Sequence, residues 1–177
     1  MKLDHGELTS ILHGAGPRSP HFERIKNEYL RVHPNCEADA KEYFGRVCVQ
    51  VHHIFAFHVC ILLGRPDLEL DPCNFLGLCE NEPGKPCENH HVLLGHLGDF
   101  QVNNDSVLAD IKTYQGMTHQ FILASGPFAS RMLTRPKPFP DWTAQERVDY
   151  RKMLDAKLPP DPILCAKYGF KIVPYAG

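Results

Sequence analysis

The sequence contains no long run of uncharged apolar residues. A membrane-spanning helix needs about 18 or more such residues, and no stretch of this chain approaches that length. The opening residues, Met1 to Gly6, also lack the charged and then apolar layout of a secretory signal peptide. We therefore expect no membrane association and an intracellular location, either cytoplasmic or nuclear.

The chain also lacks an excess of positive charge, since 19 Lys and Arg residues face 21 Asp and Glu residues, for a net charge of -2. This balance argues against a protein that holds nucleic acid mainly through a large positive field. Contacts with nucleic acid must therefore be local. Local basic segments are available in Arg131, Arg135 and Lys137 and in the helix with Arg147, Arg151 and Lys152. The arm through Arg18 and the helix with Arg24, Lys26 and Arg31 are similar candidates. Ordinary solvated surface is the competing interpretation of each.

Several catalytic motifs are missing. We find no His-Glu-x-x-His, no His-x-Glu with Pro-Cys-x-x-Cys and no glycine-rich phosphate loop. These absences argue against nucleotide hydrolysis and against a zinc hydrolase or deaminase of another fold. The seven cysteines are an odd number. In a chain that is not exported they are expected as buried thiols or metal ligands rather than disulfides.

What the sequence does contain is enough for one modest hydrophobic core, because 43% of its 177 residues are hydrophobic. We expect a flexible arm at 1–18 and a core at 19–115 that begins with a helix. A C-terminal extension with one surface helix should follow at 116–177. No internal repeat is present.

Local patterns predict the main elements of this organisation. Helices are expected from Ser19-Pro20 to His33, at 104–111, and from the Thr143 to Glu146 capping box to Leu158. A β-branched and aromatic run predicts a strand within 46–57, and an edge strand is expected at 169–173. The remaining predictions are a loop at 58–71, a short inward-facing helix from Asp71, and a segment at 121–124 that can be strand or core.

Histidine is the residue type whose number and distribution say most about this chain. The chain has eleven histidines, and six of them lie between positions 52 and 96. The pair His52-His53 falls at the end of the predicted strand, and the pair His90-His91 lies further downstream, with Asn74 between the two pairs. An isolated pair on a strand is commonly one inward and one outward side chain.

The order of these residues resembles the HNH (ββα-metal) endonuclease family, over roughly positions 33 to 104. The matching pieces are His33-Pro-Asn-Cys36, Val51-His-His-Ile-Phe-Ala-Phe-His58, Glu69-Leu-Asp-Pro-Cys-Asn74, Leu78-Cys-Glu80, and His91 through Gly98. The resemblance implies an α+β fold, a ββα-metal nuclease core with flanking helices and extended arms. It also implies hydrolysis of DNA, with a 5′ phosphate left on the product.

The resemblance also implies roles for individual residues. His53 would be the general base, and His52 and His91 would bind one divalent cation, although His90 and His91 could exchange roles. Asn74 would orient the base or tie the loop to the helix, although a turn residue is the alternative. Histidine ligands admit Mg2+, Mn2+ or a later transition metal, and few carboxylates argue against a two-metal mechanism. His58 and His96 are expected to be structural or to face the substrate.

A structural zinc site is a further implication of the resemblance, because relatives carry cysteine pairs near the first strand and the helix. Candidate ligands are Cys36, Cys79, Cys87 and His90, with Asp39 or Cys48 available to complete the set. Asp39 stands where a second cysteine is expected, so buried thiols remain the alternative.

The sequence therefore predicts a metal-dependent DNA endonuclease with nucleic acid as its partner. The alternative is a non-catalytic module of the same fold, stabilised by a bound metal ion, which binds nucleic acid or protein. Ala56, at a position where the subgroup often has proline, is compatible with that alternative.

Overall fold

The computed structural model describes residues 14–39, 48–82 and 87–175. The chain divides into two compact units. One, here called the sheet unit, comprises Arg24–Ile54 and Phe75–Pro136; the other, the C-terminal unit, comprises Met1–Glu23, Phe55–Asn74 and Lys137–Gly177. Residues 1–13 of the predicted arm lie outside the described residues. Each unit is thus assembled from stretches that are separated along the chain.

Helices and a two-stranded sheet make up the regular structure, in agreement with the predicted α+β class. The strands are β1 (Val49–His53) and β2 (Phe75–Cys79). The helices, in chain order, are α1 (Phe22–Val32), α2 (Phe57–Leu62), α3 (Val107–Tyr114), α4 (His119–Ala124), α5 (Gly126–Leu133), α6 (Ala144–Lys157) and α7 (Pro162–Tyr168). No helix in the described part of the chain combines the length and apolar character that a membrane span requires.

In the sheet unit, β1 and β2 pair antiparallel, with Val49 opposite Cys79 and His53 opposite Phe75. The strand predicted within 46–57 is confirmed. The helix predicted from Asp71 is a short 3-10 turn, Pro72–Asn74, and the residues from Phe75 onward form β2 instead. Every residue of β2 is buried. A strand buried on both faces shows no polar alternation, which explains why its sequence resembles a core helix.

A π-helical turn at His91–Gly95, here called the π turn, follows β2 and contacts both strands. The core of the sheet unit lies between these elements and α3 to α5, and includes Leu78, Leu94, Val107, Ile122 and Phe128. The predicted helix at 104–111 is confirmed as α3. The undecided segment at 121–124 belongs to α4, whose N-terminus is capped by the Thr118 side chain.

The C-terminal unit contains α2, α6 and α7. The predicted capping box of α6 is confirmed, because the Thr143 side chain accepts from the Glu146 amide and Glu146 binds back to the Thr143 backbone. The predicted loop at 58–71 is wrong, since α2 and a 3-10 turn, Pro66–Glu69, occupy much of it. The edge strand predicted at 169–173 is also wrong: Gly169 ends α7 in a left-handed conformation, and no strand follows through residue 175.

Candidate metal centre

The end of β1 carries His52 and His53 on opposite faces of the strand, because successive side chains alternate. His52 faces the π turn, where a Cβ atom built on Gly95 would lie 2.8 Å from its Nδ1. The absence of a side chain at Gly95 therefore makes room for the imidazole. His53 lies on the other face, with its ring centroid 5.0 Å from that of Phe75.

The π turn brings two further histidines to His52. Hydrogen bonds in a π-helix join residues five apart, so His91 and His96 lie on one side of the turn. In an α-helix the same spacing would rotate them apart by about 140°. The ring centroid of His52 lies 5.5 Å from that of His91 and 4.9 Å from that of His96. One ligand atom from each of the three lies within 4.8 Å of the others; we call this group the histidine cluster.

Hydrogen bonds identify the ligand atoms of the histidine cluster. Nδ1 of His91 lies 2.5 Å from Glu80 Oε2, and Nδ1 of His96 lies 2.7 Å from the Val102 carbonyl oxygen. Because a carboxylate and a carbonyl only accept, both Nδ1 atoms carry the proton and both Nε2 atoms keep a lone pair. Nε2 of His52 is buried and has no hydrogen-bond partner. Three Nε2 atoms are thus available to one cation.

The environment of His52 and His96 lowers their pKa values and so favours the neutral form that binds metal. Burial, followed by the nearby His96 and His91, holds the pKa of His52 well below its usual value. Burial and then the charge of His91 lower the pKa of His96 to about 3. Neutral imidazole is a good ligand for Zn2+, Mn2+ and later transition metals.

The histidine cluster is open on one side. His52 is buried, but His91 and His96 are only partly buried, and the Phe100 ring borders both. Three protein ligands with solvent access are typical of catalytic metal sites, which keep a position for water or substrate. The arrangement therefore fits a reactive centre better than a purely structural one.

A second group of ligand-type residues lies in the same unit and comprises Cys36, Asp39, Cys79 and His90. All four are buried, and their ligand atoms lie within 4.8 Å of one another. Nδ1 of His90 is 3.6 Å from Cys36 Sγ, 3.5 Å from Cys79 Sγ and 3.1 Å from Asp39 Oδ1. We call this group the thiol cluster.

The side chains of the thiol cluster shift one another's pKa values. A hydrogen bond from Cys79 lowers the pKa of the Cys36 thiol to about 6 even though burial opposes the shift. Burial also disfavours a charged His90, but its hydrogen bonds to Asp39 and Cys36 outweigh burial and raise its pKa to about 9. The neighbouring Cys36 and then burial raise the pKa of Cys79.

Other predicted site residues lie outside both clusters. Asn74 is fully buried, and its amide group accepts from the Phe55 amide at 2.8 Å and donates to the carbonyls of Phe55 and Leu68. Asn74 therefore links Phe55 to Leu68 within the C-terminal unit. His58 lies on α2 in that unit and is 8% exposed. Cys87 lies near Cys79, and its Sγ contacts Asn81 Oδ1 at 3.4 Å and accepts from the Asn89 amide.

The basic side chains between Arg131 and Lys152 that could contact nucleic acid are paired within their own units. Arg131 bonds Asp110 and Asn104, and Arg135 contacts Asp99. Further contacts join Lys137 to Glu146, Arg151 to Asp155, Lys152 to Asp149, and Arg147 to the Pro140 carbonyl. Any nucleic acid must therefore compete with these partners for the positive charge.

Sequence reasoning missed two features of the centre. His96 joins the histidine cluster only because the turn is π-helical, and no residue pattern in the segment indicates such a turn. Glu80 belongs to the Leu-Cys-Glu motif but had no predicted role, although an acidic residue beside a metal ligand is a common partner for histidine. Asp39, by contrast, was among the residues expected to complete the zinc ligand set, and it lies in the thiol cluster.

Comparisons with protein-family models, with curated proteins and with solved structures returned no match to this chain. Inference about its function therefore depends on the two clusters and on the residues that surround them.

Proposed function

We propose that this protein is a metal-dependent endonuclease of the HNH (ββα-metal) type, which hydrolyses phosphodiester bonds of DNA. The observation that carries the proposal is the convergence of one ring nitrogen from each of His52, His91 and His96 in a partly exposed site. Two antiparallel strands followed by a helical turn, with His52 near the end of the first strand and His91 in the turn, support a ββα-metal core.

A divalent cation held by the histidine cluster would neutralise negative charge that develops on the phosphate and on the leaving oxygen. The protein supplies the ligands and their orientation. Glu80 and the Val102 carbonyl hold the Nδ1 protons of His91 and His96, so that each ring presents Nε2. Gly95 allows the His52 ring to approach the backbone of the π turn.

The remaining chemical requirement is a base that removes a proton from the attacking water. We assign this role to His53 from the resemblance to the HNH family, and imidazole accepts protons near neutral pH. His53 is the last residue of β1, so the water that it would activate must lie at the end of the strand, where both faces are within reach. We assign a positioning role to Asn74, whose amide binds both backbone polar atoms of Phe55, two residues beyond His53 in the sequence.

The proposal is tested on supercoiled plasmid with protein stripped of metal and then supplied with Mg2+ or Mn2+. We expect metal-dependent nicking by the wild type. His52→Ala and His96→Ala should lose both metal binding and nicking, whereas His53→Ala should keep the metal and lose nicking by about 100-fold or more. His33→Ala, which removes an exposed imidazole of the sheet unit, should behave as the wild type.

Two outcomes would contradict the proposal in different ways. Nicking by His53→Ala at the wild-type rate would remove the base assignment. Failure of the wild type to cut plasmid DNA or single-stranded RNA with any tested cation, despite bound metal, would favour the non-catalytic binding module.

A further inference from the structure

We propose that Cys36, Asp39, Cys79 and His90 form a second, closed metal site that binds zinc, and that zinc there prepares the histidine cluster to bind its own cation. The site itself is independent of the proposed function. Its effect on the histidine cluster rests on that function, because it requires a cation at His52, His91 and His96.

The distances within the thiol cluster match a tetrahedral ion. Zinc bonds of about 2.3 Å to sulfur and about 2.0 Å to nitrogen or oxygen separate neighbouring ligand atoms by about 3.3 to 3.8 Å. The corresponding distances here are 3.6 and 3.5 Å from His90 Nδ1 to the two Sγ atoms, 3.1 Å from Nδ1 to Asp39 Oδ1, and 4.0 Å from Cys79 Sγ to Asp39 Oδ1. Small adjustments would therefore complete the tetrahedron.

The surrounding contacts favour ligation by these atoms. His90 Nε2 lies 3.4 Å from the Met117 carbonyl oxygen, which leaves Nδ1 for the ion. The second carboxylate oxygen of Asp39 is buried and has no hydrogen-bond partner, although the residue is only 4% exposed. A buried carboxylate without a full set of partners is costly, and a bound cation would offset that cost.

Ligand chemistry selects the metal. Two thiolates and an imidazole favour zinc over Mg2+ or Mn2+, which prefer oxygen ligands. Four buried protein ligands leave no position for water or substrate, in contrast to the open histidine cluster. The two sites should therefore take different ions and differ in role.

The two clusters are joined through two peptide bonds. Cys79 of the thiol cluster precedes Glu80, and His90 precedes His91 of the histidine cluster. Glu80 in turn contacts His91 at 2.5 Å. The His90 amide also donates to Cys79 Sγ at 3.4 Å. An ion that fixes Cys79 and His90 therefore fixes the chain on both sides of the Glu80–His91 hydrogen bond.

Such a connection makes binding at the two sites cooperative. Zinc at the thiol cluster should strengthen cation binding at the histidine cluster, and linkage requires the reverse effect to be equal. Because the strengthening arises from ordering Glu80 and His91, it should disappear when the zinc ligands are removed.

The zinc site is tested with the full-length protein, stripped of metal under reducing conditions and given one equivalent of Co2+. We expect the near-ultraviolet charge-transfer absorption of thiolate-bound, tetrahedral cobalt, in the wild type and equally in His52→Ala. Cys79→Ser and His90→Ala should lose it, and Asp39→Ala should weaken binding about tenfold or more. Asp39→Cys should retain tight binding, which keeps the test informative where another variant does not fold.

Cys87→Ser is the matched control, because it removes a thiol beside the cluster without removing one of the four ligands. Absence of thiolate charge transfer in the wild type would overturn the site and would indicate an Asp39–His90 ion pair with two thiols. Loss of the signal in Cys87→Ser with its retention in Asp39→Ala would overturn Asp39 as the fourth ligand.

The coupling is tested by titrating Mn2+, detected by electron paramagnetic resonance, with the thiol cluster either metal-free or filled by one equivalent of zinc. We expect zinc to tighten Mn2+ binding about fivefold or more in the wild type, and to have no effect in Cys79→Ser. Equal Mn2+ affinities with and without zinc would overturn the coupling. The zinc site itself would still be judged by the cobalt spectrum. A zinc-filled wild type that binds no Mn2+ would overturn both the coupling and the proposed cation at the histidine cluster.

Discussion

The chemistry of the histidine cluster depends on residues that are not ligands. Glu80 and the Val102 carbonyl determine which nitrogen of His91 and His96 carries a proton. Gly95 contributes by having no side chain where the His52 ring packs. Ligand number alone would not specify this geometry, because each imidazole has two nitrogens that could face the ion.

Replacing Gly95 by alanine tests the steric part of this arrangement. The new Cβ would lie 2.8 Å from His52 Nδ1 and 2.9 Å from Cε1, so the buried ring must move. We expect Mn2+ affinity at the histidine cluster to fall about tenfold or more, while the cobalt spectrum of the thiol cluster is unchanged. Gly126→Ala is the control, because a Cβ there meets nothing within 4 Å. Wild-type Mn2+ affinity in Gly95→Ala would show that the ring position is not critical.

Replacing Glu80 tests the electrostatic part. Glu80→Ala removes the acceptor for the His91 Nδ1 proton, so we expect metal affinity to fall about 10- to 100-fold. Glu80→Gln keeps an acceptor oxygen and should recover part of the loss. Glu28→Ala, at an exposed position of α1, serves as the control for loss of a carboxylate. The role fails if Glu80→Ala and Glu28→Ala bind Mn2+ equally well.

At the scale of elements, the π turn is the critical one. Its buried C-terminal carbonyls receive hydrogen bonds from outside the turn: Asn104 Nδ2 donates to the Leu94 oxygen at 2.6 Å, and the Asn104 amide donates to the Gly95 oxygen at 3.1 Å. Asn104 is 1% exposed, and Arg131 of α5 donates to its side-chain oxygen at 2.6 Å. The turn is therefore held by the segment before α3 and by α5.

Asn104→Ala should loosen the π turn. The substitution removes the side-chain carboxamide, so the buried Leu94 oxygen and one Arg131 donor lose this partner. The loss should cost about 1 to 3 kcal/mol of unfolding free energy. Urea unfolding monitored by circular dichroism measures that cost, and Mn2+ titration should show weaker binding at the histidine cluster. A matched substitution is Asn103→Ala, on a side chain that is only partly buried. Equal unfolding midpoints for the two variants would exclude the proposed support.

At the scale of the whole molecule, the side chains of both clusters belong to the sheet unit, whereas the C-terminal unit has its own buried ionic network. Arg65 is fully buried and makes two hydrogen bonds to Asp67, at 2.9 and 2.7 Å, and one to Asp155 at 2.8 Å. Arg151 bonds Asp155 and the carbonyls of Leu63 and Val173. These bonds join the stretch 55–74 to the stretch 137–177.

Arg65→Leu should therefore destabilise the protein strongly. The substitution leaves the buried carboxylate of Asp67 without its cation, and such broken buried pairs typically cost about 3 to 5 kcal/mol. Arg24→Leu breaks an exposed pair with Glu28, for which about 0 to 1 kcal/mol is expected. Chemical unfolding of both variants compares the two costs, and similar losses would contradict the role of the buried network.

The sequence by itself determined the features that depend on local chemistry. Periodicity and caps predicted α1, α3 and α6, and a β-branched run predicted β1. The grouping of histidines pointed to the segment between positions 52 and 96, and the resemblance to the HNH family marked Cys36, Cys79, Cys87 and His90 as candidate zinc ligands. Each of these inferences requires only neighbours along the chain or the intrinsic chemistry of a side chain.

Only the tertiary structure decided which of those residues meet. β2 was hidden because burial on both faces removes polar alternation, and His96 was separated from His91 by a spacing that only a π-helical turn brings together. The choice of Asp39 over Cys87 in the thiol cluster likewise depends on how the chain brings separate segments together. Ligand sets are properties of distances in space, and residue order constrains those distances only where local backbone geometry is already known.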